Sequence, residues 1–169
     1  TPERFAAHLE HLDDAGFRVA SLPEVLAALA RGEQIPDSTV CLTADDGYAN
    51  LRTEALPLLQ RYGWPMTVFV CTEQVDTGRP LHLGWDDLRA LQREGWTIAS
   101  HGTTHDHLVA RRDGESEAAW RQRVRANIAG SVERLRQELG DRVPDLFAYP
   151  YGEYDPALQA VVRELGLVA

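Results

Sequence analysis

Residues 85–101 read Trp85-Asp86-Asp87-Leu88-Arg89-Ala90-Leu91-Gln92-Arg93-Glu94-Gly95-Trp96-Thr97-Ile98-Ala99-Ser100-His101. Apolar spacing is helical from Trp85 to Glu94. Gly95 then offers the left-handed conformation that closes a helix. Trp96 to Ser100 is short and β-prone, and it runs straight into a histidine. One helix, one glycine, one strand and one polar residue at the strand end make a unit, and the same unit recurs on both sides.

Toward the N-terminus, Met66-Thr67-Val68-Phe69-Val70-Cys71 is the clearest strand. A helix near Asn50 precedes it, disturbed by Pro57 and ending around Gly63. Before that, Thr39 to Thr43 reads as a strand that stops at Asp45-Asp46-Gly47. Ser21 is placed to cap a helix through Leu26 and Leu29, with Pro23 in its first turn and Gly32 closing it. Phe5, Leu9 and Leu12 mark a first helix that stops at Gly16. Toward the C-terminus, Arg111–Glu117 reads as a surface loop and Glu115–Leu139 as a long polar helix ending at Gly140. Leu146-Phe147-Ala148-Tyr149 reads as a strand, and Asp155 caps a last helix ending at Gly166. This alternation predicts a parallel α/β architecture, wound as a barrel or an open sheet.

With 169 residues the chain suits one domain, taken as 1–169, with a sizeable core. Hydrophobic residues make up 44% and charged residues 25%, an ordinary globular balance. No apolar run reaches the roughly 20 residues that cross a bilayer. The net charge of −9, with no basic stripe, argues against nucleic acid as a partner. Cys41 and Cys71 lie in apolar runs and match no zinc-cluster spacing, so both read as unpaired core thiols.

In parallel β/α folds ligands bind at the carboxyl ends of the strands. This sequence places Asp45, Asp46 and Gly47 at one such end, His101 and His105 at a second, and Pro150, Tyr151 and Gly152 at a third. Histidines four residues apart project to one side if the segment turns helically. Two imidazoles with one carboxylate suit Zn²⁺ or a similar divalent ion and leave a position open. Adjacent aspartates in an extended segment point apart, so one is expected to hold metal while the other moves protons.

Thr43-Ala44-Asp45-Asp46-Gly47-Tyr48 resembles the TFDDG motif of the polysaccharide deacetylase (NodB-homology) family. Ser100-His101-Gly102-Thr103-Thr104-His105 is similar to the family's histidine-pair motif, and Tyr149-Pro150-Tyr151-Gly152 to the end of its RxPYG motif. The three occur in family order. The resemblance implies a distorted (β/α) barrel, with Asp46, His101 and His105 as metal ligands and Asp45 as general base. It also implies that the Tyr151 backbone N–H donates to an oxyanion, with Pro150 and Gly152 shaping that loop.

The expected cofactor is a divalent ion, zinc ahead of cobalt, nickel or iron. The expected substrate is an N-acetylglucosamine polysaccharide, deacetylated at the periplasm or cell surface. The opening Thr1-Pro2-Glu3-Arg4-Phe5 and the run Phe147–Gly152 are similar to the branch that acts on poly-N-acetylglucosamine. Chitin oligomers or peptidoglycan are the alternative substrates, and a carbohydrate-binding pseudoenzyme the alternative class.

Ala44 and Ala148 stand where the family has phenylalanine and often arginine. The family's first-strand YH pair and late LxH histidine do not occur between Thr1 and Ala169. The barrel is therefore expected to be incomplete at both ends here, with further domains outside these residues. His107, and less so His82, remain as candidate acids. Tyr48 and Trp85 are candidate sugar contacts, since aromatic faces accept sugar rings. Trp64 and Trp96 read as packing residues.

Overall fold

The computed structural model describes all residues, 1–169. Helix α1 (Pro2–Asp14) starts where the Thr1 hydroxyl accepts the Arg4 N–H. It is followed by β1 (Arg18–Val19), α2 (Leu22–Ala30), β2 (Thr39–Val40) and β3 (Thr43–Ala44). Ser21 precedes α2 as expected, yet its side chain makes no capping bond.

The expected strand 39–43 is instead two short strands with different neighbours. Thr39 and Val40 pair with β1 in parallel, whereas Thr43 and Ala44 pair with β4 (Thr67–Val70). Partner exchange within six residues bends the sheet, because each half of the segment must face a different neighbour. β4 pairs in parallel with β5 (Thr97–Ser100) over four residues. Beyond β5 the expected strand 146–149 is reduced to single parallel bridges, Ser100 to Phe147 and Leu146 to Val168. The result is two short parallel sheets, β1-β2 and β3-β4-β5, set in a curved array, with one antiparallel bridge between Tyr48 and His82 outside them.

Pro57 leaves the expected mark. Residues Leu51–Ala55 form a wide π turn, and the α-helical ladder resumes only in α3 (Leu56–Gln60). A proline has no N–H to give the preceding turn, so the ladder widens around it. Helix α4 (Thr72–Asp76), directly after β4, was not foreseen. Helix α5 (Trp85–Arg93) matches its expected span within a residue.

Helix α6 (Glu117–Leu139) starts two residues later than expected, with Ser116 accepting the Ala119 N–H. It buries Trp120, Val124, Ile128, Ser131, Val132, Leu135 and Leu139 at three- and four-residue steps. Helix α7 (Pro156–Glu164) is capped by Asp155, whose carboxylate accepts the Leu158 N–H at 2.7 Å. No helix is long and apolar enough to cross a membrane.

Three apolar clusters hold the layers together, the smallest packing Phe69, Ala99 and Leu146 against Leu22 and Leu26 of α2; the other two are larger. One joins β4, β5 and α5 to the C-terminal half of α6 through Val68, Ile98, Leu88 and Leu135. The other joins α6 and α7 to Phe147 through Trp120, Ile128 and Leu158. Trp120 is almost fully buried, and its indole N–H donates to the Leu108 carbonyl at 2.8 Å. That bond tethers the loop between the histidine pair and α6. Trp120→Ala is expected to cost about 3–5 kcal/mol in urea unfolding, and Trp85→Ala, whose ring is only partly buried, less than that.

Candidate active site

The first strand end carries Asp45, Asp46 and Gly47. Asp46 adopts φ 66° and Gly47 φ 67°, two successive left-handed residues that turn the chain sharply. Such a conformation costs a non-glycine residue of order 1 kcal/mol or more, and it persists where surrounding structure imposes it. The turn packs on β4, because a Cβ at Gly47 would stand 2.7 Å from Val70 Cγ1. The two aspartates consequently part company: Asp46 turns into the protein while Asp45 stays exposed.

His101 and His105 follow β5. His101 is buried, and its Nδ1 lies 2.8 Å from the Ala148 carbonyl oxygen. A carbonyl can only accept, so Nδ1 carries the proton and the neutral ring presents a bare Nε2. Burial lowers the His101 pKa from its ordinary value; the Ala148 bond and the nearby carboxylates oppose that shift only in part. Asp46 Oδ1 sits 3.7 Å from His101 Nε2 and 3.3 Å from His105 Nε2.

The Asp46 Oδ1 atom is buried and accepts no hydrogen bond. A buried, unpartnered carboxylate oxygen facing a neutral imidazole lone pair is unfavourable unless a cation lies between them. One ligand atom each from Asp46, His101 and His105 falls within a mutual 4.8 Å. The donor set therefore fits a divalent ion with open positions, of the zinc kind. The Cys71 thiol is not part of it. Burial pushes that thiol up to about 12, and its S–H points to the His101 carbonyl at 3.3 Å.

Tyr151 stands on one flank of this centre at φ 60°, followed by Gly152 at φ 65°. Its ring meets His105 edge-on at 4.2 Å and stacks on His107 at 4.0 Å between centroids. Its hydroxyl donates to the His105 carbonyl at 3.2 Å. His107 in turn is fixed through Nδ1, 2.9 Å from Glu153. Pro150 is buried beneath the turn.

Tyr48, two residues beyond Asp46, is exposed, and its ring lies 4.8 Å from that of His82. Exposed Leu81, at φ 68°, rides on the same loop. That loop is tied to the aspartate turn by Ala49 N–H to Leu81 O at 2.7 Å and Leu83 N–H to Gly47 O at 2.8 Å.

Trp85 is engaged elsewhere. Its N–H donates to Asp76 at 2.9 Å, and the Arg134 guanidinium lies 4.8 Å above its ring. Sequence reasoning also passed over residues that hold the histidine loop. Asn127 and Ser131 of α6 contact that loop directly, and their only trace in the sequence is polarity on an otherwise apolar helical face.

The polysaccharide deacetylase family model matches residues 32–169. The chain belongs to the polysaccharide deacetylase family. YxkH of Bacillus subtilis (strain 168) is 27% identical over 164 residues, which are 97% of this chain and 55% of YxkH. A poly-beta-1,6-N-acetyl-D-glucosamine N-deacetylase of Escherichia coli (strain K12) is 26% identical over 188 residues, covering 92% of this chain and 28% of that enzyme. This polysaccharide deacetylase chain thus spans about half the length of the first relative and little more than a quarter of the second. Among solved structures, the BpsB deacetylase domain from Bordetella bronchiseptica superposes with TM-score 0.84 at 25% identity, over 95% of this chain and 74% of that one. The curved parallel array is accordingly a partial barrel of the NodB-homology type.

Because the pKa of folded His101 lies below its ordinary 6.5, the unfolded chain takes up that proton first as pH falls. Stability of the metal-free protein should therefore decline once pH drops below about 6.5. Thermal melts in chelator between pH 8 and pH 5 are expected to show this fall, and His101→Gln to flatten it.

Proposed function

We propose that this chain is the catalytic domain of a metal-dependent N-deacetylase that releases acetate from an N-acetylglucosamine-containing polysaccharide. The observation that carries the reading is the buried, unpartnered Asp46 oxygen facing His101 and His105, with Asp45 exposed beside it.

Asp46, His101 and His105 would hold a divalent ion, zinc ahead of cobalt, nickel or iron. An ion bound there would supply Lewis acidity, lowering the pKa of water and polarising the acetyl carbonyl. Asp45, free of the ligand group, takes the proton from the attacking water. The Tyr151 backbone N–H donates to the oxyanion, a contribution of about 3 kcal/mol for one well-placed donor. Left-handed Tyr151, wedged against His105, presents that N–H on a loop shaped by Pro150 and Gly152. The water oxygen bonds to the acetyl carbon, the C–N bond breaks, and the amine nitrogen takes a proton. We assign that last proton to His107, whose Nδ1 is engaged by Glu153, leaving Nε2 for the transfer.

A polymer must enter sideways, and exposed residues beside the centre support such entry. The cavities of about 310 and 440 Å³ lie elsewhere, lined by residues such as Thr1 and Phe5 or Glu133 and Leu165. Tyr48, two residues after Asp46, Leu81 on the loop tied to that turn, and Tyr151 against His105 are all exposed. Such faces accept the apolar side of a sugar ring. Poly-β-1,6-N-acetyl-D-glucosamine is the substrate of choice, because an Escherichia coli relative carries that specificity in its name. The periplasm or cell surface is the matching location.

The deciding experiment is acetate release from poly-β-1,6-N-acetyl-D-glucosamine by the zinc-loaded protein. Asp45→Asn should keep the metal and lose about 10²–10⁴-fold in kcat, whereas His105→Ala should lose the metal itself. Release only from chitin oligomers or peptidoglycan would reassign the substrate. Metal binding without release from any N-acetylated glycan would make the chain a pseudoenzyme, and no metal binding would end the proposal. His107→Phe keeps the stack on Tyr151 but has no proton to give. It should slow turnover by about 10²–10⁴-fold, and unchanged turnover would reduce His107 to a prop for Tyr151.

A further inference from the structure

We infer that Asn127, on a helix that contributes no ligand, is a positioning residue that sets the metal affinity of the histidine pair. The inference rests on the metal-site reading above and concerns how the loop His101–His105 keeps its shape.

That loop is irregular, so its backbone groups need partners outside regular structure. They have them. The His101 N–H donates to Val70 O, and the Gly102 and Thr103 carbonyls accept the Thr72 and Glu73 N–H groups. Those contacts come from β4 and the start of α4, on one side. On the other side the contacts come from α6. The Ser100 hydroxyl donates to Ser131 at 2.9 Å and accepts the Gly102 N–H at 3.1 Å.

Asn127 makes the larger share. Its Oδ1 accepts the Thr103 N–H at 3.1 Å, and its Nδ2 donates to the Thr104 hydroxyl at 2.7 Å. Its carbonyl accepts the Thr103 hydroxyl at 2.8 Å. One residue thus grips both positions between Gly102 and the ligand His105. Approach is so close that a Cβ at Gly102 would stand 2.6 Å from Asn127 Oδ1. Gly102 also sits at φ 91°, so that position needs glycine for space and for backbone conformation alike.

His101 has its own anchor in the Ala148 carbonyl. The His105 ring makes no hydrogen bond; its Nε2 only faces the Asp46 carboxylate, at 3.3 Å. Its position therefore depends on the main chain that carries it, and Asn127 holds that chain on α6. Partners one step behind a ligand typically change metal affinity by about 10–100-fold when removed.

The test is zinc affinity by competition with a chromogenic chelator, alongside melting temperatures of the metal-free and zinc-loaded protein. Asn127→Ala is expected to weaken zinc by about 10–100-fold and to shrink the rise in melting temperature that zinc produces. Asn127→Asp accepts the Thr103 N–H and can accept the Thr104 hydroxyl, so it should bind zinc close to wild type. Thr104→Val removes the Nδ2 partner without touching α6 and should weaken zinc as well. It also serves if Asn127→Ala fails to fold. Wild-type zinc affinity in a less stable Asn127→Ala, or in Thr104→Val, would overturn the inference. A wild-type protein that bound no zinc would instead overturn the metal reading beneath it.

Discussion

The hydrogen bond from His101 Nδ1 to the Ala148 carbonyl is the contact on which the site depends. It joins the third strand end to the second, across the point where regular pairing gives way to the single bridge between Ser100 and Phe147. It also decides the chemistry of the ring. With Nδ1 protonated and the ring buried, Nε2 can only be a lone-pair donor to an electrophile. Asp46 faces that lone pair with an oxygen that nothing else satisfies. A backbone carbonyl supplies this orientation, so it does not depend on the small side chain of Ala148.

Around that bond two of the four left-handed non-glycine residues sit where chemistry is proposed. Asp46 and Tyr151, the two non-glycine residues held left-handed at the centre, each precede a glycine that is left-handed too. A left-handed pair reverses the chain within two residues. It drives the first side chain inward at Asp46 and sets Tyr151 against His105. The cost, of order 1–3 kcal/mol for each such residue, is met by neighbours that allow no other path. Val70 fills the space behind Gly47, and Pro150 is buried beneath Tyr151.

Much of this was legible in the sequence. Helices closed by glycine and strands ending in polar residues led to a parallel β/α fold, and three strand ends carried the candidate chemistry. Asp46, His101 and His105 do converge, and Asp45 does stay apart from them. Pairing was less legible. Thr39 to Thr43 looks like one strand because its residues favour extension, but its two halves serve different neighbours, a choice made by the sheet's curvature. Leu146 to Tyr149 is extended for the same local reason, yet only isolated bridges form. Helix α4 is five residues long, too short for periodicity to register. Asn127 was hard to read because its partners lie more than twenty residues away in sequence, and polarity on an apolar helical face is its only local sign.

The division between a fixed centre and an exposed rim suits the polymer substrate proposed above. An enclosed pocket would admit only a chain end, whereas flanks exposed on both sides let an internal residue reach the centre. Tyr48 and Leu81 are free to be exposed because main-chain bonds from Leu81 and Leu83 to the aspartate turn, rather than burial of their side chains, hold their loop. Tyr151 is free to be exposed because its ring is wedged between two histidines and its hydroxyl is tied to the main chain. Each rim residue is thus fastened to the same segments that carry the ligands. A sugar pressing on the rim would load the turn that aims Asp46 and the loop that carries His105, which couples grip on the polymer to geometry at the centre.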